Sequence, residues 1–216
     1  MPGLLVFFPS SPTAAHAIIA LPIRNASSSI SKVGVRTLRP WEQTANARKL
    51  IAEPKTYTVS NAGPVINNDH PDFSPVISVD GNAMFYTSRR LRADSSNVDI
   101  VDPLAGLPFE NIYVSYKDRN ANWQTPEPLN INAVDRHFAT VNVSADGQTL
   151  YIYRDDGGDG NLYESKLVGE LWSDPVLIGS DVNTKAWETH CALTADGNTL
   201  YFVSDRKGGE GGRDIY

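Results

Sequence analysis

An Asp-Gly pair set between two short alternating apolar runs occurs three times in this chain, at Asp80-Gly81, Asp146-Gly147 and Asp196-Gly197. No other feature limits the possible folds as strongly. A tight hairpin turn needs φ > 0, which glycine adopts at little cost, so each pair marks a β-hairpin. The runs around them are DFSPVISVDGNAMFYTS from Asp72 to Ser88, FATVNVSADGQTLYIY from Phe138 to Tyr153, and ETHCALTADGNTLYFVS from Glu188 to Ser204.

Further markers recur in a fixed order around each turn. Upstream lie Ile66-Asn67, Ile131-Asn132 and Val182-Asn183; downstream lie Asn111-Ile112-Tyr113, Asn161-Leu162-Tyr163 and Asp214-Ile215-Tyr216. The first two units close on a tryptophan followed by proline and leucine: Trp123, Pro126 and Leu129, then Trp172, Pro175 and Leu177. The spacing predicts two strands around each turn, a third at the Asn/Asp-Ile/Leu-Tyr element and a fourth along the tryptophan stretch. Four antiparallel strands in a unit of roughly 40–50 residues is the blade of a β-propeller. Such a sheet is apolar on both faces and needs neighbours to cover it. The expected fold is therefore all-β, a partial propeller of about three four-stranded blades. The chain stops at Tyr216, so the third blade reads as incomplete and the whole as part of a longer protein.

The turns of the first two units are 66 positions apart, against 50 for the next pair, and the extra length falls in residues 89–110. An insertion there reads as a loop on one rim, where binding usually occurs. Residues 1–61 are expected to form a separate N-terminal region, a disordered tail rich in Ser, Pro and Ala followed by a short helix over Trp41–Ala52. Glu53-Pro54 ends that helix. The propeller repeats are placed at 62–216.

The formal net charge of −6 argues against nucleic acid, which needs a basic face. No apolar run approaches the ~20 residues of a membrane-spanning helix. No secretory signal is recognised, because Lys and Arg are absent before Arg24 and Pro9, Pro12 and His16 interrupt the apolar core. The single cysteine, Cys191, excludes an internal disulfide framework and reads as core.

Asp80, Asp146 and Asp196 recur once per unit at a turn and are read as turn caps rather than catalytic acids. The acidic glycine-rich run Asp155–Asn161 invites a calcium reading. Gly157 stands where a ligand is needed and Lys166 where a glutamate is, so a tight turn is the better account. His70, His137 and His190 share no metal-type spacing. Ser29-Ile30-Ser31-Lys32 matches S-x-x-K without a supporting motif. No metal or cofactor is expected, no nucleophile with an arranged base can be named, and the chain is expected not to be an enzyme. Candidate binding residues are the charged groups after each second strand: Arg89, Arg90 and Arg92, Arg154, and Asp205-Arg206.

The run Thr194-Ala195-Asp196-Gly197-Asn198-Thr199-Leu200-Tyr201-Phe202-Val203-Ser204-Asp205-Arg206, then Gly208-Gly209, Gly211-Gly212 and Arg213-Asp214-Ile215-Tyr216, resembles bacterial envelope proteins with TolB-like, WD-like propeller repeats, often called PD repeats. The resemblance covers Ala62 to the end. Gly63 to Asn67, Pro75 to Ser78 and Phe85 to Arg90 look most like the Bacteroidetes-type proteins that place tetratricopeptide repeats before the propeller and an OmpA-like, peptidoglycan-binding domain after it. That resemblance implies a cell-envelope location and a module binding envelope proteins or cell-wall glycan. The rival readings are a structural spacer toward a peptidoglycan anchor and a propeller-based hydrolase or lyase. An acid before the first strand belongs to the family pattern. Asp72 and Glu188 fit it, and Phe138 departs.

Overall fold

The structure, a computed structural model, describes residues 47–48, 51–52, 58–157 and 160–216. The expected tail over residues 1–40 lies outside the described residues. Of the expected helix, Ala47, Arg48, Ile51 and Ala52 are helical and exposed, and the rest lies outside them. All fourteen strands among the described residues fall within the compact unit Val59–Tyr216.

Blade 1 has the strand order β1-β2-β5-β6, with β1 at Asp72–Ile77, β2 at Ala83–Ser88, β5 at Asn111–Tyr116 and β6 at Glu127–Pro128. Blade 2 repeats it with β7 (Phe138–Val143), β8 (Thr149–Asp155) and β9 (Gly160–Val168). Its outer edge is split into β10 (Leu171–Trp172) and β11 (Val176–Leu177), both paired with β9. Blade 3 comprises β12 (Glu188–Leu193), β13 (Leu200–Ser204) and β14 (Asp214–Ile215). The insertion carries its own hairpin, β3 (Val101–Asp102) with β4 (Leu107–Pro108). Each first strand is bulged near its start, between Phe73 and Val76, Thr140 and Asn142, and Glu188 and His190. This is a partial β-propeller.

The three Asp-Gly turns are the same object built three times. In blade 1 Ser78 Oγ donates to Asp80 Oδ1 at 2.6 Å, and the Asn82 N–H donates to the same oxygen at 3.0 Å. The Ala83 N–H returns to Ser78 Oγ at 2.9 Å. Blade 2 repeats this with Ser144, Asp146, Gln148 and Thr149, and blade 3 with Thr194, Asp196, Asn198 and Thr199. Gly81, Gly147 and Gly197 have φ of 74°, 71° and 72°. A hydroxyl three residues before the glycine and an aspartate just before it thus reinforce the backbone bonds that close the turn, such as that from the Gly81 N–H to the Ser78 carbonyl at 2.8 Å.

The blades are joined by a second repeated device. Asn132 accepts from the Ile112 N–H at 2.8 Å and donates to the Ile112 carbonyl at 2.7 Å, acting as a one-residue strand on β5. Asn183 does the same to Leu162 on β9, at 2.8 Å in both directions. The asparagine that opens one blade therefore clamps the third strand of the blade before it. Between blades 1 and 2 lies the main core, in which Phe85, Ile112 and Val114 meet Leu150, Ile152, Tyr163 and Trp172. Trp172 meets Phe85 edge-on, with ring centroids 5.6 Å apart. Its backbone is held by Asn130 of the preceding blade through bonds of 2.7 and 3.0 Å. Leu162, Cys191 and Phe202 centre the smaller core between blades 2 and 3, where burial pushes the Cys191 thiol up to about 12. Gly160 is required at this junction. A Cβ there would overlap the side chains of Tyr153 and of Trp187, which donates its indole N–H to Tyr153 at 2.9 Å.

Candidate functional site

The end of each hairpin opposite its Asp-Gly turn carries the charged side chains singled out from the sequence. Arg90 donates to the Ile66 carbonyl at 2.6 Å, to Asp72 at 3.0 Å and to Ser88 Oγ at 3.0 Å. Its guanidinium lies over Tyr86 and Tyr113, 5.3 and 5.0 Å from the ring centroids. Arg206 is its counterpart in blade 3. It bonds Ser204 Oγ at 3.0 Å, Glu188 at 3.2 Å and the Val182 carbonyl, and lies over Phe202 and Tyr216. The acid that opens the first strand and the arginine after the second thus form one pair, and that pair staples the asparagine-bearing segment to its blade.

Arg154 is not their equivalent, although it also follows a second strand. It stands at the position of Ser88 and Ser204, because Phe138 occupies the slot of Asp72 and Glu188. Its guanidinium sits 3.9 Å from the Tyr163 ring centroid and bonds Asp156 at 2.7 Å. Burial acts against the charges of both members. The mutual hydrogen bonds and attraction outweigh it, so Asp156 is held below and Arg154 above its ordinary value. The Tyr163 hydroxyl, which donates to Asp156, is pushed up to about 12 by burial and by that bond.

Arg89 and Arg92 organise the insertion. Arg89 bonds Glu110 at 2.9 Å, Asp102 at 3.3 Å and the Pro108 carbonyl at 3.2 Å. Asp102 also caps the β3–β4 turn by accepting from the Leu104 N–H at 2.9 Å. That bond is the largest cause of its lowered pKa. His137, just before β7, lies with Nδ1 3.3 Å from Glu110 and Nε2 3.6 Å from Asp102. Burial raises the Glu110 pKa, but the close approach of His137 and the Arg89 charge more than offset it, leaving it lowered. Arg92 bonds Asn111, and Asn97 ties its loop through the Arg92 N–H at 2.8 Å and the Arg90 carbonyl at 2.9 Å. Asp205 accepts from the Trp187 N–H at 2.8 Å.

Each of the six sequence candidates is therefore tied within its own blade or insertion, and they do not converge on one point. None of them lines the open cleft of about 340 Å³ between the insertion and the entrance to β7, which is formed by Phe109, Asp135, Arg136, His137, Asp155, Asp156 and Gly157. Arg136 is 47% exposed and lies 3.5 Å from Asp135. Phe109 packs on the His137 ring with centroids 4.8 Å apart. Of these, only His137 and the Asp155–Gly157 run were weighed from the sequence, and there as metal ligands. Gly158 and Asp159 of that run lie outside the described residues, and no cluster able to hold a metal ion occurs among the described residues. A local signal does exist, since Asp135-Arg136-His137 enters β7 as Asp69-His70 enters β1.

No family matches the sequence, and no curated protein matches it. Among solved structures the chain is similar to TolB from Acinetobacter baumannii, with 19% identity and a TM-score of 0.39 over 65% of this chain and 28% of that one. It is also similar to the Pseudomonas aeruginosa periplasmic gluconolactonase PpgL, with 14% identity and a TM-score of 0.40 over 60% and 35%. A puromycin-hydrolyzing peptidase from Mycobacterium tuberculosis matches at 17% identity and a TM-score of 0.38 over 62% and 18%. The matched region thus spans about a third or less of each of these proteins. Two of the three are named for a catalytic activity, so the expectation that this chain is not an enzyme does not hold. Its physical basis was weak, because motif spacing detects only catalytic groups close in sequence. The fold brings together polar groups distant in sequence, as it does here with Arg89, Asp102, Glu110 and His137. No helix among the described residues is long and apolar enough to cross a membrane.

Proposed function

We propose that residues 62–216 are a propeller interaction module of the bacterial cell envelope. The rim carrying the 89–110 insertion binds a protein or cell-wall glycan partner. The observation that carries this reading is the insertion itself. It folds into a hairpin pinned by Arg89, Asp102 and Glu110, it places Phe109 and His137 in an open cleft, and it presents Leu104 with 99% of its surface exposed. A spacer has no use for a tethered projection on one rim, and loops held on a rigid scaffold commonly carry binding residues. On this reading Arg89, Arg90, Arg92, Arg154, Asp205 and Arg206 shape the rim, and Arg136 supplies its available cation.

The test immobilises the chain and measures retention of solubilised envelope proteins and of muropeptides, comparing it with Arg136→Ala and Leu104→Asp variants. Both positions are exposed, so both variants fold. Loss of a specific partner with either variant supports the module. Equal retention by all three forms rejects this rim as the binding face.

A further inference from the structure

The insertion meets blade 2 at a histidine, the side chain whose ordinary charge change falls in the physiological pH range. His137 stands at the entrance to β7, where its carbonyl accepts from the Asp155 N–H at 3.3 Å. That bond fixes the backbone of His137 to blade 2. The ring Nδ1 lies 3.3 Å from Glu110 and Nε2 lies 3.6 Å from Asp102. Both nitrogens therefore face carboxylates of the insertion, one on β3 and one where the chain rejoins β5. The Phe109 ring packs on the imidazole and closes a further side.

A neutral imidazole has one N–H and one lone-pair nitrogen. Whichever tautomer is present, one ring nitrogen then turns its lone pair toward a carboxylate oxygen. Only the imidazolium offers an N–H to both. Nδ1 is shut off from solvent and finds no hydrogen-bond partner among the described residues, so no donor satisfies it as an acceptor. The surrounding charges favour the same form. Among the described residues the ion-pair partners of Asp102 and Glu110 are Arg89 and His137. One guanidinium balances one carboxylate, and a neutral His137 leaves the other without a cation. Both acids are held below the ordinary carboxylate range, Asp102 chiefly by the Leu104 N–H and Glu110, against its burial, by His137 and Arg89. The other charges around the cleft are engaged elsewhere: Arg136 lies 3.5 Å from Asp135, and Asp156 is paired with Arg154 beside Asp155.

We infer that protonation of His137 locks the β3–β4 hairpin against the entrance to β7, so that the insertion is a pH-sensitive latch. In the protonated state the ring bridges Asp102 and Glu110. As the pH rises through the range in which histidine gives up its proton, the bridge is lost and Arg89 remains as the ionic tether. The latch is therefore tight on the acid side and loose on the alkaline side. Its control over partner binding rests on the reading of this rim as the binding face; the latch itself does not.

The experiment is backbone amide exchange read by NMR from about pH 5.5 to about pH 8, corrected for the intrinsic rate, with the His137 ring titrated in the same samples. The reporters are the Leu104 N–H, bonded to the Asp102 carboxylate, and the Gly106 N–H, bonded to the Asp102 carbonyl. Their protection is expected to fall about tenfold as the ring loses its proton, the scale of one hydrogen bond to a charged group. The amides of β5 should keep theirs. His137→Gln, neutral at every pH and at a half-buried position, is expected to keep the sheet signal in circular dichroism and to abolish the pH dependence. Protection that stays constant through the ring titration overturns the inference. So does a fall shared equally by β5, or a pH response that His137→Gln retains. The readout is the hairpin and not a bound partner, so failure of the latch and failure of the binding face are told apart.

Discussion

Blades 2 and 3 use the same turn and the same asparagine clamp but anchor their rims with charges placed in opposite order. In blade 3 the acid is innermost. Glu188 is fully buried and accepts from the Thr184 N–H at 3.0 Å, Thr184 Oγ1 at 2.9 Å, Ser204 Oγ at 2.7 Å and Arg206 at 3.2 Å. In blade 2 the corresponding residue is Phe138, and no carboxylate is present to receive an arginine at the position of Arg206. The arginine moves two residues back, to Arg154, and the acid moves outward, to Asp156. Both solutions put a guanidinium over the tyrosine of the third strand, Tyr216 in one and Tyr163 in the other. What is fixed is the cation on the ring; which residue provides it depends on whether the inner slot is polar. A carboxylate buried that deeply needs all of its donors, whereas a pair near the surface can lose one partner to water.

That contrast predicts unequal penalties. Glu188→Ala removes the hub of four hydrogen bonds and leaves Arg206 without its acid, and is expected to destabilise the chain by about 3 kcal/mol in urea unfolding. A loss no larger than that of an exposed substitution would show that blade 3 is held by its apolar contacts alone. For blade 2, a double-mutant cycle on Arg154 and Asp156 is expected to give a coupling of about 1 kcal/mol or less, because both side chains remain partly exposed. A coupling as large as the Glu188 effect would remove the distinction between the two blades.

The smallest effect concerns what the blades share. In all three turns the aspartate pKa is lowered, first by the hydroxyl of Ser78, Ser144 or Thr194 and then by the N–H two residues on. A carboxylate whose native pKa lies below its unfolded value contributes stability that is complete above the unfolded value, near 3.8. That contribution is lost as the pH falls through the lower native value. Replacing Asp80, Asp146 and Asp196 together by Asn is expected to flatten the acid limb of stability below pH about 4. The neutral region should keep its slope. An unchanged acid limb would mean that other carboxylates set it.

The turns were legible in the sequence because their causes are local. Ser-x-Asp-Gly closes within five residues, and its spacing alone specifies the hydroxyl-to-carboxylate bond and the φ > 0 glycine. The asparagines were legible as markers but not as clamps, since their partners lie about twenty residues away on the preceding blade. The sequence also set Arg154 beside Arg90 and Arg206, because it follows a second strand as they do. Only the strand register shows it two positions earlier, with Phe138 in the acid slot.

The cleft was the least legible part. Phe109, Arg136 and His137 come together only when the insertion folds back onto the entrance to β7. Arg89, Asp102 and Glu110, 13 and 21 positions apart along the chain, hold it there. The sequence by itself determined the repeating hairpins, the all-β class and the place of the insertion, because period-2 patterning and turn chemistry act over a few residues. The tertiary structure alone decided which charges pair, which aromatic rings they cover and where the open cleft lies. Those outcomes depend on which side chains from distant strands reach the same desolvated space.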